Sequence, residues 1–472
     1  MDPFDRSDED KPAEECGVIA VATVSGDAAR AAFYGLFALQ HRGQEAAGIA
    51  SLDGKAIRVR KDTGLVARVF SEKDMLELRG SHAIGHTRYS TTGSATARNA
   101  QPFSVETRYG SIALAHNGNL VNAGELRKAL LEKGVGLSSA SDTEVMVMTL
   151  AGASGSDWPT RIAEAMGSWI GAFSFVVLTP EGTFAARDPW GMRPLSCGLL
   201  PGGGSAAASE TCALATLGCT KNIEIGPGEI IELGDDGFRR VGCVEAVAPG
   251  ASCVFEFVYF SRPDSVWRGL GVHEVRRRFG AALAREFPVE ADAVVAVPDS
   301  SISAAIGFAR ESGLPYDEAF VKNRYIGRTF IEPTKALREK GVALKFNVLP
   351  EAVRGKRIVM IDDSIVRGTT SGPLVRMLRA AGASEVHLRV ASPPVRFACH
   401  MGVDMGSGDD LAACRMSKDE FRSLVGADSL EYLPVRAMRD SLGGNEGFCA
   451  ACFDGNYPFP VGEATSKNDF EC

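Results

Sequence analysis

The stretch that most constrains this chain runs from Gly355 to Gly372, GKRIVMIDDSIVRGTTSG. Arg357 to Ile361 is short, apolar and rich in β-branched residues, as in a strand buried on both faces of a parallel sheet. Two carboxylates, Asp362 and Asp363, stand at its carboxyl end, followed by Arg367, Gly368, Thr369, Thr370 and Ser371. The spacing of Leu374, Val375 and Leu378 then predicts a helix that stops at Gly382. Strand, acidic pair, hydroxyl-rich loop and helix form a layout that can hold a phosphorylated sugar. Loop amides and the helix N-terminus face a phosphate, and Gly368 lets the backbone approach it closely. Carboxylate oxygens satisfy either ribose hydroxyls or a magnesium ion. The same pattern also describes an ordinary strand–helix turn whose aspartates cap the helix.

Val359 to Thr370 resembles the phosphoribosylpyrophosphate (PRPP) loop of type I phosphoribosyltransferases. The longer wording, DDSIVRGTTSG, is similar to that of the amidophosphoribosyltransferase family, which opens purine synthesis. At 472 residues the chain has room for two or three domains. A net charge of −8 argues against a general nucleic-acid binder, which needs a basic surface. No apolar run approaches the roughly 18 residues that span a bilayer, so no membrane partner is expected. The N-terminal DRSDEDKPAEE lacks the apolar core of a signal peptide, and a cytoplasmic location follows as an expectation. Eleven cysteines in such a compartment point to thiol chemistry or metal binding rather than disulfides.

Residues 1–15 are polar and acidic and read as a disordered leader. At Cys16 the chain switches abruptly to an apolar strand, CGVIAVATV. Cys16 is either a buried small hydrophobe or, once the leader is removed, an N-terminal nucleophile whose own α-amino group serves as base. Four further segments bear on that choice: LQHRGQEAAG (Leu39 to Gly48), IGHTRYSTTG (Ile84 to Gly93), AHNGN (Ala115 to Asn119) and SDTE (Ser141 to Glu144). Together they resemble the glutaminase of N-terminal-nucleophile amidotransferases. The resemblance implies Cys16 as nucleophile, with Asn117 and Gly118 as oxyanion donors. It gives Arg88 to the glutamine α-carboxylate and Asp142 to its α-ammonium. Arg42 joins the glutamine-site residues and, with Gly43, supports the nucleophile.

Further along, Trp169 to Leu178 alternates into strands, Gly198 to Ala208 reads as a small-residue loop, and Pro227 to Gly250 as strands closing the first domain. His273 to Phe287 has helical periodicity, with Arg276, Arg277 and Arg278 on a solvated face. Ala293 to Val297 is an apolar strand before Pro298-Asp299-Ser300-Ser301. In the family that loop meets the pyrophosphate, and Ser300 joins the magnesium site with Asp362 and Asp363. Lys322 to Pro333, KNRYIGRTFIEP, reads as a mobile surface loop. The resemblance makes it the loop that folds over PRPP, with Lys322 and Arg328 facing the departing diphosphate, while Arg367, Gly368, Thr369, Thr370 and Ser371 hold the 5′-phosphate.

Cys449 and Cys452 form a C-x-x-C that suits zinc, redox or iron–sulfur use. With Cys253 and Cys399 they match the 4Fe-4S ligands of the cluster-containing branch of the family, which also carries a leader; all-thiolate ligation by itself suits zinc equally. The fold expected is α/β throughout. An αββα glutaminase sandwich (16–245, after a propeptide 1–15) precedes a parallel type I phosphoribosyltransferase domain (246–472). The resemblance further implies one Mg2+ and one 4Fe-4S cluster per subunit, glutamine and PRPP as substrates, purine nucleotides as feedback inhibitors, and a homotetramer. A sugar-phosphate aminotransferase would need an isomerase-type second domain, an asparagine synthetase an ATP-pyrophosphatase loop, and a PRPP-sensing regulator a DNA-binding element. The IDDSIVRGTT loop stands where the first would differ, no ATP-pyrophosphatase loop is read, and the complete glutaminase set argues against the regulator.

Overall fold

The computed structural model describes residues 16–89, 96–323, 344–406, 408–444 and 446–461. The expected leader, Ser90 to Gly93 of the IGHTRYSTTG segment and Arg328 lie outside the described residues.

The strand Gly17–Thr23 is buried at all seven positions, and its alternate residues enter two different cores. Ile19 and Val21 pack on the helix Ala28–Ala38. Val18, Ala20 and Ala22 face Ala113, Ala115, Val176 and Leu178 of a second sheet. A strand covered on both faces has no polar side, so its sequence does not alternate. Among the described residues it is central in a seven-stranded antiparallel sheet, ordered Thr220–Glu224, Ser196–Leu199, Gly204–Ala208, Gly17–Thr23, His82–Arg88, Ala46–Asp53, Ala56–Thr63. A six-stranded sheet packs on it, ordered Gly237–Cys243, Glu229–Gly234, Gly182–Arg187, Gly171–Thr179, Gly110–Leu120, Phe103–Thr107. The outer face of this second sheet carries Phe173, Phe175 and Val177 against the helices Asp142–Gly152 and Trp158–Met166. Helix, sheet, sheet, helix is the sandwich expected.

Two expectations are corrected here. Gly198 to Ala208 is not a loop: it is most of a hairpin, and Gly204–Ala208 lies beside the central strand. Its small residues are selected by packing between layers, where Ala206 and Ala208 enter one core and Ala207 the other. Trp169 to Leu178 yields one uniformly buried strand rather than an alternating one, because the layers on both sides cover it.

Past Cys243 the chain stays on the sandwich, with Val247 N–H donating to the Pro189 carbonyl and Ala251 N–H to Trp190, each at 2.8 Å. The strands Ala293–Ala296, Arg357–Asp362, Glu385–Val390 and Ser429–Tyr432 then form a parallel sheet in that order. Val359 and Ile361 face the helices Val272–Glu286 and Ile302–Ser312. Ile358 and Met360 face Ser371–Ala380 and Lys418–Val425. The α/β class and both sheet types match the sequence reading. Among the described residues no helix is long and apolar enough to cross a membrane.

Arg276 is the third correction. It is buried, donating to the carbonyls of Phe257 (2.7 Å), Tyr259 (2.9 Å) and Ser261 (2.8 Å). Only Arg277 and Arg278 of that run reach solvent, where both pair with Glu274. Arg276 shares the helix face of Val272, Val275 and Phe279, a 3–4 spacing that does mark a buried position.

Candidate active site

Cys16 opens the central strand, and the strand carrying Arg88 lies beside it, with Gly17 opposite Thr87. The Cys16 thiol is 6% exposed and donates to the Tyr89 carbonyl at 3.3 Å. Burial pushes it up to about 11, and Arg88 and Asp142 both act on it electrostatically. The cysteine, the arginine and the aspartate singled out in the sequence therefore share one locus. Gly43 packs so tightly there that a Cβ would lie 2.7 Å from the Thr87 and Arg88 carbonyl carbons.

Asn117 and Gly118 reach this locus from the strand Gly110–Leu120 of the other sheet, crossing where His86 Nε2 meets the His116 carbonyl at 3.1 Å. The Asn117 side-chain amide nitrogen is buried and has no hydrogen-bond partner among the described residues. An unpartnered buried donor is costly to keep, so it points to a ligand that completes it. Gly118 has φ +140°, and a Cβ there would lie 1.9 Å from the Ala172 carbonyl oxygen. Asp142 sits in the first turn of its helix and accepts Leu120 N–H at 3.2 Å. Glu144, the fourth letter of SDTE, pins the preceding loop by accepting both N–H and hydroxyl of Ser138 and of Ser139.

Arg42 is placed differently from Arg88. Its Nε donates to the Cys16 carbonyl at 3.0 Å, and its two terminal nitrogens hold Glu210 (2.7 Å) and Glu256 (2.7 and 2.9 Å). All three side chains are essentially fully buried. Burial works to raise the Glu210 carboxyl, but His41 and Arg42 outweigh it and hold it well below the carboxylate range. Glu256 opens the short helical segment Glu256–Phe260 that follows the sandwich and also accepts from Ser261 Oγ at 2.6 Å. Neither Glu210 nor Glu256 was found in the sequence. They lie 168 and 214 residues from Arg42, and no local pattern joins them.

In the parallel sheet, Asp362 and Asp363 are buried at the carboxyl end of Arg357–Asp362. Asp363 accepts from Ser364 Oγ at 2.8 Å and from Ser300 Oγ, so the Pro298–Ser301 loop closes onto the acidic pair. Lys322 reaches the same loop, its ammonium 2.7 Å from Asp299. Gly368 has φ +78°, and a Cβ would lie 2.4 Å from the Phe421 ring. Phe421 is fixed by a helix that starts with a Ser417–Glu420 capping box. Thr370 stands at the N-cap position of the helix Ser371–Ala380 with no side-chain capping bond, and the helix's first hydroxyl, Ser371 Oγ, is buried without a hydrogen-bond partner among the described residues. Arg367 and Thr369 complete the loop at half-buried positions.

The four cysteines of interest also converge. Ser252–Cys253 pairs in parallel with Phe448–Cys449, Cys253 opposite Cys449. Burial, and then the neighbouring Cys253, Cys399 and Cys449, push the Cys452 thiol well above its ordinary value. Among the described residues no three His, Cys, Asp or Glu side chains are arranged to hold a single metal ion.

A glutamine amidotransferase domain profile matches residues 86–216. The amidophosphoribosyltransferase of Synechococcus elongatus is 47% identical, covering 97% of this chain and 94% of its own. That of Archaeoglobus fulgidus is 45% identical, covering 94% and 98%. The chain belongs to the amidophosphoribosyltransferase family. Solved structures agree. One described as the allosteric regulatory enzyme of purine biosynthesis has a TM-score of 0.90 at 42% identity over 96% of this chain and 98% of its own. The glutamine PRPP amidotransferase of B. subtilis, complexed with ADP and GMP, has a TM-score of 0.89 at 41% identity over 97% and 100%. Amidophosphoribosyltransferase architecture thus extends over both halves of the chain.

Proposed function

We propose that the chain makes 5-phospho-β-D-ribosylamine, glutamate and diphosphate from glutamine, PRPP and water, the first step of purine biosynthesis, in two sites divided near residue 245. Removal of residues 1–15 frees the α-amino group of Cys16. The thiol of Cys16 is pushed up to about 11 by burial, so at neutral pH its sulfur needs a base beside it. An α-amine, ordinarily near 8, supplies one. The sulfur attacks the glutamine side-chain carbonyl as its proton passes to the amine. The C–N bond breaks, the proton leaves with ammonia, and water hydrolyses the γ-glutamyl thioester. Arg88 holds the α-carboxylate and Asp142 the α-ammonium. Asn117 Nδ2 and Gly118 N–H donate to the oxyanion, a role supported by an Asn117 amide nitrogen that has no partner among the described residues. Arg42 acts through Cys16 rather than on glutamine, since its donors are taken by Cys16, Glu210 and Glu256.

In the second site ammonia attacks C1 of PRPP with inversion as diphosphate departs. Arg367 to Ser371 hold the 5′-phosphate, Asp362 and Asp363 the ribose hydroxyls, and Lys322 and Arg328 the diphosphate. Ammonia protonates in bulk water, so it passes between the sites shielded from solvent. Magnesium is typically held by one or two carboxylates plus substrate phosphates rather than a protein cage. The buried Asp362 and Asp363, with Ser300, fit that demand; the ion would neutralise charge on the departing diphosphate. Cys253, Cys399, Cys449 and Cys452 supply four thiolates that suit zinc or a 4Fe-4S cluster equally by chemistry, and the family resemblance of the four positions favours the cluster. The cluster would serve structure and confer oxygen sensitivity. We also assign a cytoplasmic homotetramer inhibited by purine nucleotides, supported for the nucleotides by the relative solved with ADP and GMP.

The observation that carries this reading is one chain holding both a buried cysteine flanked by Arg88, Asp142 and the spare Asn117 amide, and an acidic pair beside a glycine-bent phosphate loop. The test is intact mass, N-terminal sequencing and iron and sulfide analysis of anaerobically purified protein, with glutamine- and ammonia-dependent assays. A chain starting at Cys16 with about four iron and four sulfide and glutamine-dependent turnover supports the reading. Retention of residues 1–15, no iron and no use of glutamine would refute its first half.

A further inference from the structure

The backbone that follows Cys399 lies directly against the strand of the expected oxyanion donors. Asn119 Nδ2 donates to the His400 carbonyl at 3.0 Å. Gly402, at φ +100°, packs on Gly118 so closely that a Cβ would lie 2.8 Å from the Gly118 carbonyl carbon and 3.2 Å from Asn119 N. Gly118 is backed on its other side by the Ala172 carbonyl, 1.9 Å from where its own Cβ would stand. This peptide is therefore held from two directions, once within its sheet and once by a segment more than 280 residues away.

That segment is itself anchored. The Met401 carbonyl accepts from the buried Arg193, whose own carbonyl accepts Ser174 Oγ at 3.0 Å, and Ser174 pairs with Asn117 across the sheet. Met401 packs into a small core with Ala172, Met192, Ala251 and Phe459, and Cys399 and Cys449 border it. Upstream, Arg396 and Phe397 N–H groups donate to the Cys452 carbonyl, and Tyr457 OH holds the Ala398 carbonyl at 2.6 Å. Order in the cysteine-rich end of the chain is thus transmitted through three residues of backbone to Gly118.

We propose that His400–Gly402 is a positioning element for the glutaminase oxyanion site, with Gly402 and Asn119 as its positioning residues. This rests on the reading of Asn117 and Gly118 as oxyanion donors. A donor displaced by a few tenths of an ångström binds the tetrahedral oxyanion less well but leaves the ground-state amide almost untouched, so the loss falls on kcat. The PRPP site, on a different sheet, is not moved.

The test uses the full chain purified without oxygen, as parent, Gly402→Ala and Asn119→Ala, assayed with glutamine, with ammonia, and for iron content and visible absorption. Removing a whole oxyanion donor costs about 10²–10³ in kcat. Displacing one in Gly402→Ala should lower kcat for glutamine about 10- to 100-fold, and Asn119→Ala, which adds no bulk, about 5-fold. In both, KM for glutamine, the ammonia-dependent rate, iron per chain and the visible spectrum should stay within about twofold of parent. Should Gly402→Ala fail to fold, the same pattern in Asn119→Ala decides. Unchanged kcat, a rise in KM alone, or loss of iron and ammonia-dependent activity in parallel with glutamine use would overturn the proposal. A parent that cannot use glutamine would overturn the oxyanion reading itself, a failure distinguishable from one confined to the variants.

Discussion

Replacing Arg42 with Met keeps an unbranched side chain and deletes the charge between two buried carboxylates. Glu210 would retain His41 Nε2 (2.7 Å), the Arg262 N–H (2.9 Å) and Ser265 Oγ (2.7 Å), and Glu256 would retain Ser261 Oγ (2.6 Å) and the Arg193 guanidinium at 3.9 Å. Breaking a buried pair by removing one partner costs about 3–5 kcal/mol. The surviving donors favour the lower end of that range, and the lost Nε bond to the Cys16 carbonyl adds about 1 kcal/mol. Arg42→Met should therefore destabilise the protein by about 4 kcal/mol at pH 7. The loss should also depend on pH. In the parent, the Glu210 carboxyl is held below its unfolded value near 4.3, so its stabilisation is full at higher pH and is lost only as the solution becomes more acidic than that. In the variant the two buried carboxylates lose their shared cation and keep only His41 beside Glu210 and Arg193 beside Glu256, so burial weighs more heavily on their ionised forms and stability falls as pH rises above about 4.3. The gap should narrow from pH 7 to pH 5. Urea unfolding followed by tryptophan fluorescence at both values measures it, comparing the transition in which the junction between sandwich and transferase is lost, since a chain of two folds need not unfold in one step. A gap below about 1 kcal/mol, or one that widens toward pH 5, refutes the reasoning.

Asn117→Ala should lower kcat for glutamine about 10²–10³-fold with little change in KM, leave the ammonia-dependent rate intact and cost little stability, because Nδ2 has no partner to lose among the described residues; steady-state kinetics with both nitrogen sources check it. Gly368→Ala must place a Cβ 2.4 Å from the buried Phe421 ring at φ +78°. KM for PRPP should rise at least about 10-fold with either nitrogen source, and an unchanged value would remove this loop from the site. In a chain beginning at Cys16, kcat/KM for glutamine should rise with a limb near the ordinary α-amine value of about 8. A limb near the thiol's own 11 would show instead that the amine is not the base.

The motifs legible in the sequence are those whose chemistry is contiguous. Asp362, Asp363 and Gly368 to Ser371 lie on one strand, turn and helix start, so their order in the chain is nearly their arrangement in space. Arg88 and Asp142 needed more, since each marks its own element but only the fold brings them to Cys16, Arg88 from the neighbouring strand and Asp142 from the first turn of a helix. The readings that failed did so where burial overrode composition. Arg276 sits in a charged triplet, yet its place on the Val272–Phe279 face and three backbone carbonyls took it inside. The glycines and alanines of 198–208 are small because layers press on both sides, which in composition looks the same as a loop.

What was not legible lies largely in one place. Glu210, Glu256 and Arg193 are buried ionic groups at the junction of the two folds, and His400–Gly402 is a short stretch of backbone reaching back across it. Each is ordinary in its own neighbourhood and acquires a role only from a partner more than 160 residues away. Buried ion pairs are a poor route to stability, because apolar residues of the same volume often do as well. What these groups supply is registration. Arg42 fixes the Cys16 carbonyl against Glu256, and Arg193 fixes the Met401 carbonyl beside Gly118, so Cys16 and the expected oxyanion donors are each located by a residue of the other half. A glutaminase cut from this chain near residue 245 would keep every motif that identifies it and lose the contacts that aim it.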